Sequence, residues 1–362
     1  MEYDGTFSYI LEKRNFLPDN NQHPRFDPDK PLAVGGQAVI EGVMMRAPGR
    51  VATAVRRQDG SIIARKQDYV SLAEKNRLLK LPVLRGAVGL IEMLFIGIDT
   101  LNFSAEVAMH DLKAEKHAKG NGKVMLEEKK SSRVRLALTV LLSLAVGIAV
   151  FFVTPIVVTT KLFNVEQNAF WFNIIAGTIR MSILVVYLGA IALMQDVKRL
   201  FRYHGAEHKA VFTFESQADL TVESAAHFTR FHPRCGTSFI LIVIVLAMFM
   251  FSLLDSLIIL WLGRISLPLR LVWHLAFIPL VGGVAYEFIR WSAKRSATSL
   301  GKILVSPGLW LQRITTQEPD SSQIEVALVA LKCALGVDDI PAITYIHNLN
   351  DLRHQPSEVV AR

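Results

Sequence analysis

The chain has 362 residues, a mean hydropathy of +0.32, 51% apolar residues and 20% Asp, Glu, Lys and Arg. That mixture excludes a single soluble globule of ordinary composition and points to apolar spans joined to charged flanks. A pI near 9.5 and a net charge of +8 could serve nucleic acid. The basic residues, however, crowd the ends of the apolar runs, where membrane topology requires them, and no direct DNA binding is expected.

Residues 1–31 are polar, rich in Asn, Asp and Pro, and read as a poorly ordered arm. They lack the apolar core and cleavage site of a signal peptide, so the first span is expected to act as its own insertion signal. A small β-rich region is expected over 32–80. Val51-Ala-Thr-Ala-Val and Ser61-Ile-Ile-Ala-Arg flank Gln58-Asp59-Gly60, whose Asp-Gly pair is a strong hairpin signal. Gly35 to Arg46 supplies a further strand.

Leu81 to Glu106 is almost wholly apolar except for Arg85, Glu92, Asp99 and Glu106, which recur every seven residues. On a helix this spacing drifts only about 20° per step and makes one narrow polar stripe. Such an amphipathic helix lies in the membrane interface or packs with its stripe inward; recurring acids would be costly in hydrocarbon, so it is not counted as a span. With the charged connector from His110 to Arg135 it forms a unit over 81–135.

Four apolar runs follow in 136–292, each near the roughly 20 residues that a helical span needs: Leu136 to Thr159, Ala169 to Met194, Ser238 to Leu262 and Leu267 to Trp291. Trp171, Trp261, Trp273 and Trp291 fall near their ends, as in an aromatic belt. Lys129, Lys130, Arg133, Arg135, Lys198, Arg199, Arg202, Arg290, Lys294 and Arg295 flank one side, whereas the opposite connectors hold only Lys161 and Arg264. The positive-inside rule therefore puts both termini and the loop 196–236 in the cytoplasm. Cys235 and Cys333 then share a reducing compartment and are expected to stay free thiols. Within the spans, Asp255 is expected to pair with Arg180 or Arg270 as glue between helices, because lone charges are expensive there.

In the C-terminal segment 293–340, Ser306 to Pro319 reads as irregular. Ser322-Gln323-Ile324-Glu325 matches a capping box that opens an apolar helix ending near Gly336 and packing on the N-terminal sheet. The segment 341–362 is a tail. The expected fold is thus a membrane α-helical bundle of four transmembrane helices plus an amphipathic helix. A small α+β cytoplasmic domain joins the hairpin region to the C-terminal helix.

The chemistry concentrates in 196–236. His204-Gly205-Ala206-Glu207-His208 matches H-x-x-E-H, in which two imidazoles four apart share a helix face and can hold a metal while the acid between them serves as acid–base group. The plainer reading has these residues bonded to lipid headgroups or capping helices, and Gly205 weakens the helix. His232-Pro233-Arg234-Cys235-Gly236 lies at the other end of the same segment. If the two ends are adjacent, His204, His208, His232 and Cys235 converge, a donor set that suits zinc. Cys235 beside Arg234 at a helix start could instead be a low-pKa thiol with no metal. Glu287, level with these histidines near the end of the fourth span, is a candidate further ligand, and Glu207 the candidate catalytic residue. Phosphate loops and Ser-His-Asp elbows are absent from the sequence, and no internal repeat suggests a two-fold transporter.

The stretches GGQAVIEGVMMR (Gly35–Arg46), YHGAEHK (Tyr203–Lys209), HPRCGTSF (His232–Phe239) and PGLWLQRITTQEP (Pro307–Pro319) resemble the YqhQ-like family of bacterial membrane proteins, a domain of unknown function (DUF 1385). The likeness runs from about Leu32 to Leu335 and leaves out the N-terminal arm. It implies a multi-pass protein of the bacterial inner (plasma) membrane, with the lipid bilayer as partner. The family's label as a predicted metal-dependent enzyme implies a metal without assigning an activity. The frequent neighbourhood of translation-related genes implies, just as readily, a role with the ribosome or membrane-protein biogenesis machinery. Two classes of function follow: a zinc-dependent hydrolase at the cytoplasmic membrane face, and a non-catalytic scaffold or biogenesis factor.

Overall fold

The computed structural model describes residues 34–118, 133–233, 235–293, 298–337, 340–341 and 343–346. The expected arm 1–31, the residues Lys129, Lys130, Arg234, Lys294 and Arg295, and the tail beyond 346 lie outside the described residues.

Strands β1 (Gly35–Val39), β2 (Gly42–Ala47), β3 (Gly49–Arg56) and β4 (Ile62–Tyr69) form an antiparallel meander. The Asp-Gly turn joins β3 to β4, with Asp59 Oδ1 accepting from the Ser61 amide at 2.9 Å. The stretch expected to give one strand between Gly35 and Arg46 gives two, because the chain reverses at Ile40-Glu41, where Glu41 takes a left-handed φ of 54°. A fifth strand, β5 (Ile343–Tyr345), pairs parallel with β4 and has no counterpart in the sequence reading. Alternation along the strands sends Met44, Val51, Val55 and Ile63 to one face and Val43, Met45, Ala52, Ala54, Ile62 and Ala64 to the other. Both faces are covered.

The first face packs on α2 (Leu84–Ala118), which follows a single short turn, α1 (Leu72–Lys75). Phe103 and Val107 of α2 complete that core. The polar stripe of α2 does turn inward. Arg85 forks onto Glu287 at 2.6 and 2.5 Å, Glu92 accepts from Ser71 Oγ and the Leu72 amide, and Asp99 meets Arg65. Asp99, although paired, and Glu106 are exposed, whereas Glu92 is buried and Arg85 half-buried. The helix also runs on through residues expected to begin a connector at His110, with Asp111 held by Arg57 at 2.7 Å.

Four helices are long and apolar enough to cross a membrane: 141–163, 169–191, 239–262 and 267–292. The first is composite, α3 (Arg133–Ile148) and α4 (Thr154–Phe163) being joined by a π turn at Ala149–Val153. The others are α5 (Ala169–Ile191), α8 (Gly236–Leu262) and α9 (Leu267–Ala293). Only 17–28% of each apolar window is buried within the molecule, so most of this surface faces outward. At their inner contacts Asp255 is fully buried and bonded to Arg270 Nε at 2.9 Å, His274 Nε2 at 3.0 Å and Asn173 Nδ2 at 2.8 Å. Of the two arginines considered for Asp255 it is Arg270 that pairs. Arg180 donates instead to the Phe151 carbonyl at 2.9 Å, inside the π turn, where the wider winding offers acceptors.

The second sheet face carries α6 (Gln195–Glu215), α7 (Val222–Ala226) and α11 (Ser321–Ala334), so the segment 196–236, expected as a loop, is mostly helix. Ser306 to Pro319 was expected to be irregular, yet it lies largely in α10 (Ser299–Thr315), with Pro307 inside the helix. Buried Val305, Leu311, Gln312 and Thr315 hold α10 in place despite the lost backbone bond. The capping box of α11 sits two residues earlier than expected. Asp320 caps and Gln323 reciprocates, since the asparagine-like reach of Asp320 after Pro319 outcompetes Ser322. The helix packs on the sheet as anticipated, and Cys235 and Cys333, both buried, are not joined in a disulfide.

Replacing Asp255 with Leu strands a buried guanidinium, which typically costs about 3–5 kcal/mol. Thermal unfolding in detergent should show Asp255→Leu losing far more stability than Leu253→Ala at an exposed apolar position. Equal losses would contradict the buried pairing.

Candidate metal centre

Helix α6 carries the first half of the cluster. Tyr203, Ala206, Ala210, Val211 and Phe214 bury one face against the sheet and α11, which turns His204 and His208 toward the C-terminal end of α10 and the segment before α8. Gly205 does not weaken this helix; it permits it. A Cβ built there would lie 2.2 Å from the Gln317 carbonyl oxygen, and Gln317 in turn donates its amide to the Phe201 carbonyl at 2.9 Å. Lys209 is buried and reaches the Ala226 carbonyl at 2.9 Å and Glu318 at 2.5 Å, so it ties α6 to its neighbours and not to the imidazoles.

His204 Nδ1 lies 2.8 Å from the Thr315 carbonyl, and His208 Nδ1 lies 2.5 Å from the Arg230 carbonyl. A carbonyl only accepts, so each ring carries a proton on Nδ1, and in its neutral form each presents an unprotonated Nε2. His204 Nε2 is 3.2 Å from Cys235 Sγ. His208 Nε2 is buried without a hydrogen bond of ordinary geometry, and the His208 ring interacts with the Cys235 side chain. One ligand atom from each of His204, His208 and Cys235 lies within 4.8 Å of the others, and the two imidazole centroids are 4.5 Å apart.

The structure leaves His232 beside this group and outside it. Gln312 of α10 clamps its backbone, accepting from the amide at 2.8 Å and donating to the carbonyl at 2.7 Å. Its ring sits 5.6 Å from that of His208, centroid to centroid, with Nε2 3.4 Å from Glu215 Oε2. Burial lowers the His232 pKa to about 4, and burial, followed by the charge of His204, lowers that of His208. Both imidazoles are therefore neutral at pH 7, the form that ligates metals. Glu207 is pushed up to about 7, chiefly by burial, against the opposing effects of His204 and of the Gly36 amide, which donates to Glu207 Oε1 at 3.0 Å.

The profile of the family described as "Protein of unknown function (DUF1385)" matches residues 81–337. The "Uncharacterized protein YqhQ" of Bacillus subtilis (strain 168) is 36% identical over 311 residues, covering 82% of this chain and 91% of the relative. The chain belongs to this family. No solved structure matches.

All four sequence stretches that carry the family likeness reach the cluster. The first supplies the Gly36 amide, the second the imidazoles and Glu207, the third Cys235, and the fourth Gln312 and the Thr315 carbonyl. Gly36, Gln312 and Thr315 were missed as site residues because they act through backbone atoms or hold backbone, and residue type does not betray that. Glu287 is corrected. Its carboxylate is forked by Arg85, so it anchors α2 to α9 and the structure does not bring it to the histidines.

Gly205→Ala should destabilise the protein by about 1–3 kcal/mol, as overpacking does. Gly189→Ala, where a Cβ meets open space, should be neutral or stabilising by up to about 1 kcal/mol from helix propensity. Unfolding midpoints of the two variants check this, and a Gly205→Ala protein as stable as Gly189→Ala would contradict the close approach.

Proposed function

We propose that the chain is an integral membrane protein whose four apolar helices cross the bilayer, with α6 and both ends of the chain on the cytoplasmic side. There it holds one divalent metal ion, zinc by its donor set, on His204 Nε2, His208 Nε2 and Cys235 Sγ. The activity this supports best is hydrolysis of a lipid or another membrane-bound substrate at the cytoplasmic face. The crossing is supported by the length and outward exposure of the apolar helices, and the orientation by the basic residues that flank one side.

The observation that carries the metal reading is the pair of carbonyl-bound imidazoles that both interact with one thiol, with His208 Nε2 buried and without a hydrogen bond of ordinary geometry. Metal-ligating histidines commonly donate their other ring N–H in this way, and an orphaned buried nitrogen is otherwise costly. Three protein ligands match the count of catalytic zinc sites, which keep a fourth position open. When bound, such an ion supplies a Lewis acid. Around it the protein's own groups divide the work. The Thr315 and Arg230 carbonyls hold the rings in the ligating tautomer, and the surrounding core excludes bulk water. Glu207, kept in place by the Gly36 amide, is the group to accept and return a proton.

One observation favours the rival reading of a non-catalytic scaffold or biogenesis factor, with the ribosome or membrane-protein machinery as partner. The Gly36–Glu207 hydrogen bond fastens the sheet to α6, which is a structural task in itself. Elemental analysis of detergent-purified protein separates the two. The metal reading expects about one zinc per chain, lost in His204→Ala and His208→Ala and kept in Glu207→Gln and Glu287→Gln. Metal-free wild-type protein that is unaffected by chelators decides for the scaffold.

A further inference from the structure

A cavity separate from the histidine cluster opens where the sheet, the start of α2 and the end of α9 meet. It encloses about 520 Å³, within the roughly 300–1,000 Å³ of small-molecule sites. Arg46, Lys80, Arg85 and Arg290 line it together with the acids Glu74 and Glu92. Glu92 is already committed to Ser71 and the Leu72 amide, and Arg85 to Glu287. Among the described residues Arg46, Lys80 and Arg290 form no direct ion pair, although Glu92 lies within electrostatic reach of Arg46 and Glu287 of Arg290. Arg46 instead lies over the Tyr69 ring at 4.6 Å. Four basic side chains thus line the cavity against two acids, a net positive setting that favours an anion with several acceptor oxygens.

The chain between Lys80 and Arg85, both of which line the cavity, is built with some strain. Val83, a β-branched residue, takes a left-handed φ of 71°, which is a true outlier for its type. Its carbonyl fits against Gly283 of α9, where a Cβ would lie 2.4 Å from the oxygen. The position along the apolar helices matters too. Arg290 stands at the very end of the 267–292 apolar helix. The outer face of α2 beside the cavity exposes Leu84, Ile91, Leu94 and Phe95. A basic cleft thus adjoins an unpartnered apolar stripe at the depth where a headgroup layer gives way to hydrocarbon.

We propose that this cleft binds the phosphate of an anionic membrane phospholipid, whose acyl chains lie along the exposed face of α2. The proposal rests on the reading of the four apolar helices as membrane spans. Arg46, Lys80 and Arg290 contact the phosphate oxygens, while Arg85, fixed by Glu287, sets the wall of the site. Basic pockets between helices on the cytoplasmic side are a recurrent form of headgroup recognition. The same chemistry could serve free phosphate, and the test distinguishes the two sources.

The test uses the full chain, delipidated in detergent, titrated with dioleoylphosphatidylglycerol or dioleoylphosphatidylcholine and read by native mass spectrometry. Inorganic phosphate is added as competitor. Wild-type protein should retain one phosphatidylglycerol in preference to phosphatidylcholine. The Lys80→Gln/Arg290→Gln double variant should bind it about 25-fold more weakly, at about five-fold per basic residue lost. Lys198→Gln/Arg202→Gln, which removes two cations outside the cleft, should leave the preference intact. Equal affinity for both lipids, an equal loss in both double variants, or displacement by millimolar inorganic phosphate would each overturn the proposal. Resistance of the same protein to alkaline extraction from membranes is measured alongside. Extraction by alkali would remove the membrane reading itself, whereas an inserted chain with no lipid preference would overturn this site alone.

Discussion

The carbonyl oxygens of Thr315 and Arg230 each accept from Nδ1 of an imidazole, His204 and His208 respectively. In a neutral imidazole the nitrogen that donates leaves the other unprotonated, so these two bonds choose the tautomer on which the histidine pair's ligating capacity depends. They also decide how the molecule is assembled, because the three segments that must meet are distant in sequence: α6, the end of α10 and the stretch before α8. Without Gly205, α6 could not come close enough to the segment after Thr315 for His204 to reach its carbonyl. Without the Gln312 clamp on both backbone groups of His232, the chain carrying Arg230 and Cys235 would lack its fixed path.

Around that junction a sheet-and-helix cap is joined to the apolar helices at three places, one of them α10, which packs on α8 and meets α6 at its C-terminal end. A second is α6 itself, which continues from α5 after a three-residue break and carries the cap's second core. The third is α2, whose N-terminal end is held to α9 by Arg85 and Glu287 and whose C-terminal half underlies the sheet through Phe103 and Val107. A long helix with both duties needs polar anchors at heptad spacing on its inner face and apolar residues elsewhere. The apolar bundle has its own tie in Asp255, shared by Arg270, His274 and Asn173. Buried networks of this kind are costly to break and specify which helices pair.

Much of this was legible in the sequence wherever a local rule operated. The Asp-Gly turn, the four apolar runs and the heptad stripe of α2 follow from spacing and composition. The cost of buried charge demanded a partner for Asp255 without choosing Arg270 over Arg180. The two histidine segments were expected to converge only if their ends were adjacent, with His232 in the set that the structure narrows to His204, His208 and Cys235. Where tertiary contacts overrode local signals, the reading failed. Pro307 suggested irregular chain, but the buried side chains of α10 hold a helix around it. β5 is three residues long and exists only because β4 offers an edge. Glu287 was assigned by depth along its helix, yet depth says nothing of azimuth, and Arg85 was nearer. The carbonyls that orient the imidazoles have no sequence signature, since every residue carries one.

The account stands or falls on whether two imidazoles and a thiolate share one metal ion. Replacement by cobalt(II) followed by absorption spectroscopy reports donor type and geometry together, which metal content alone does not. The account predicts a thiolate-to-cobalt charge-transfer band in the near ultraviolet and intense visible bands of a tetrahedral centre, the former lost in Cys235→Ser. Weak six-coordinate bands without a thiolate feature, unchanged by Cys235→Ser, would contradict it.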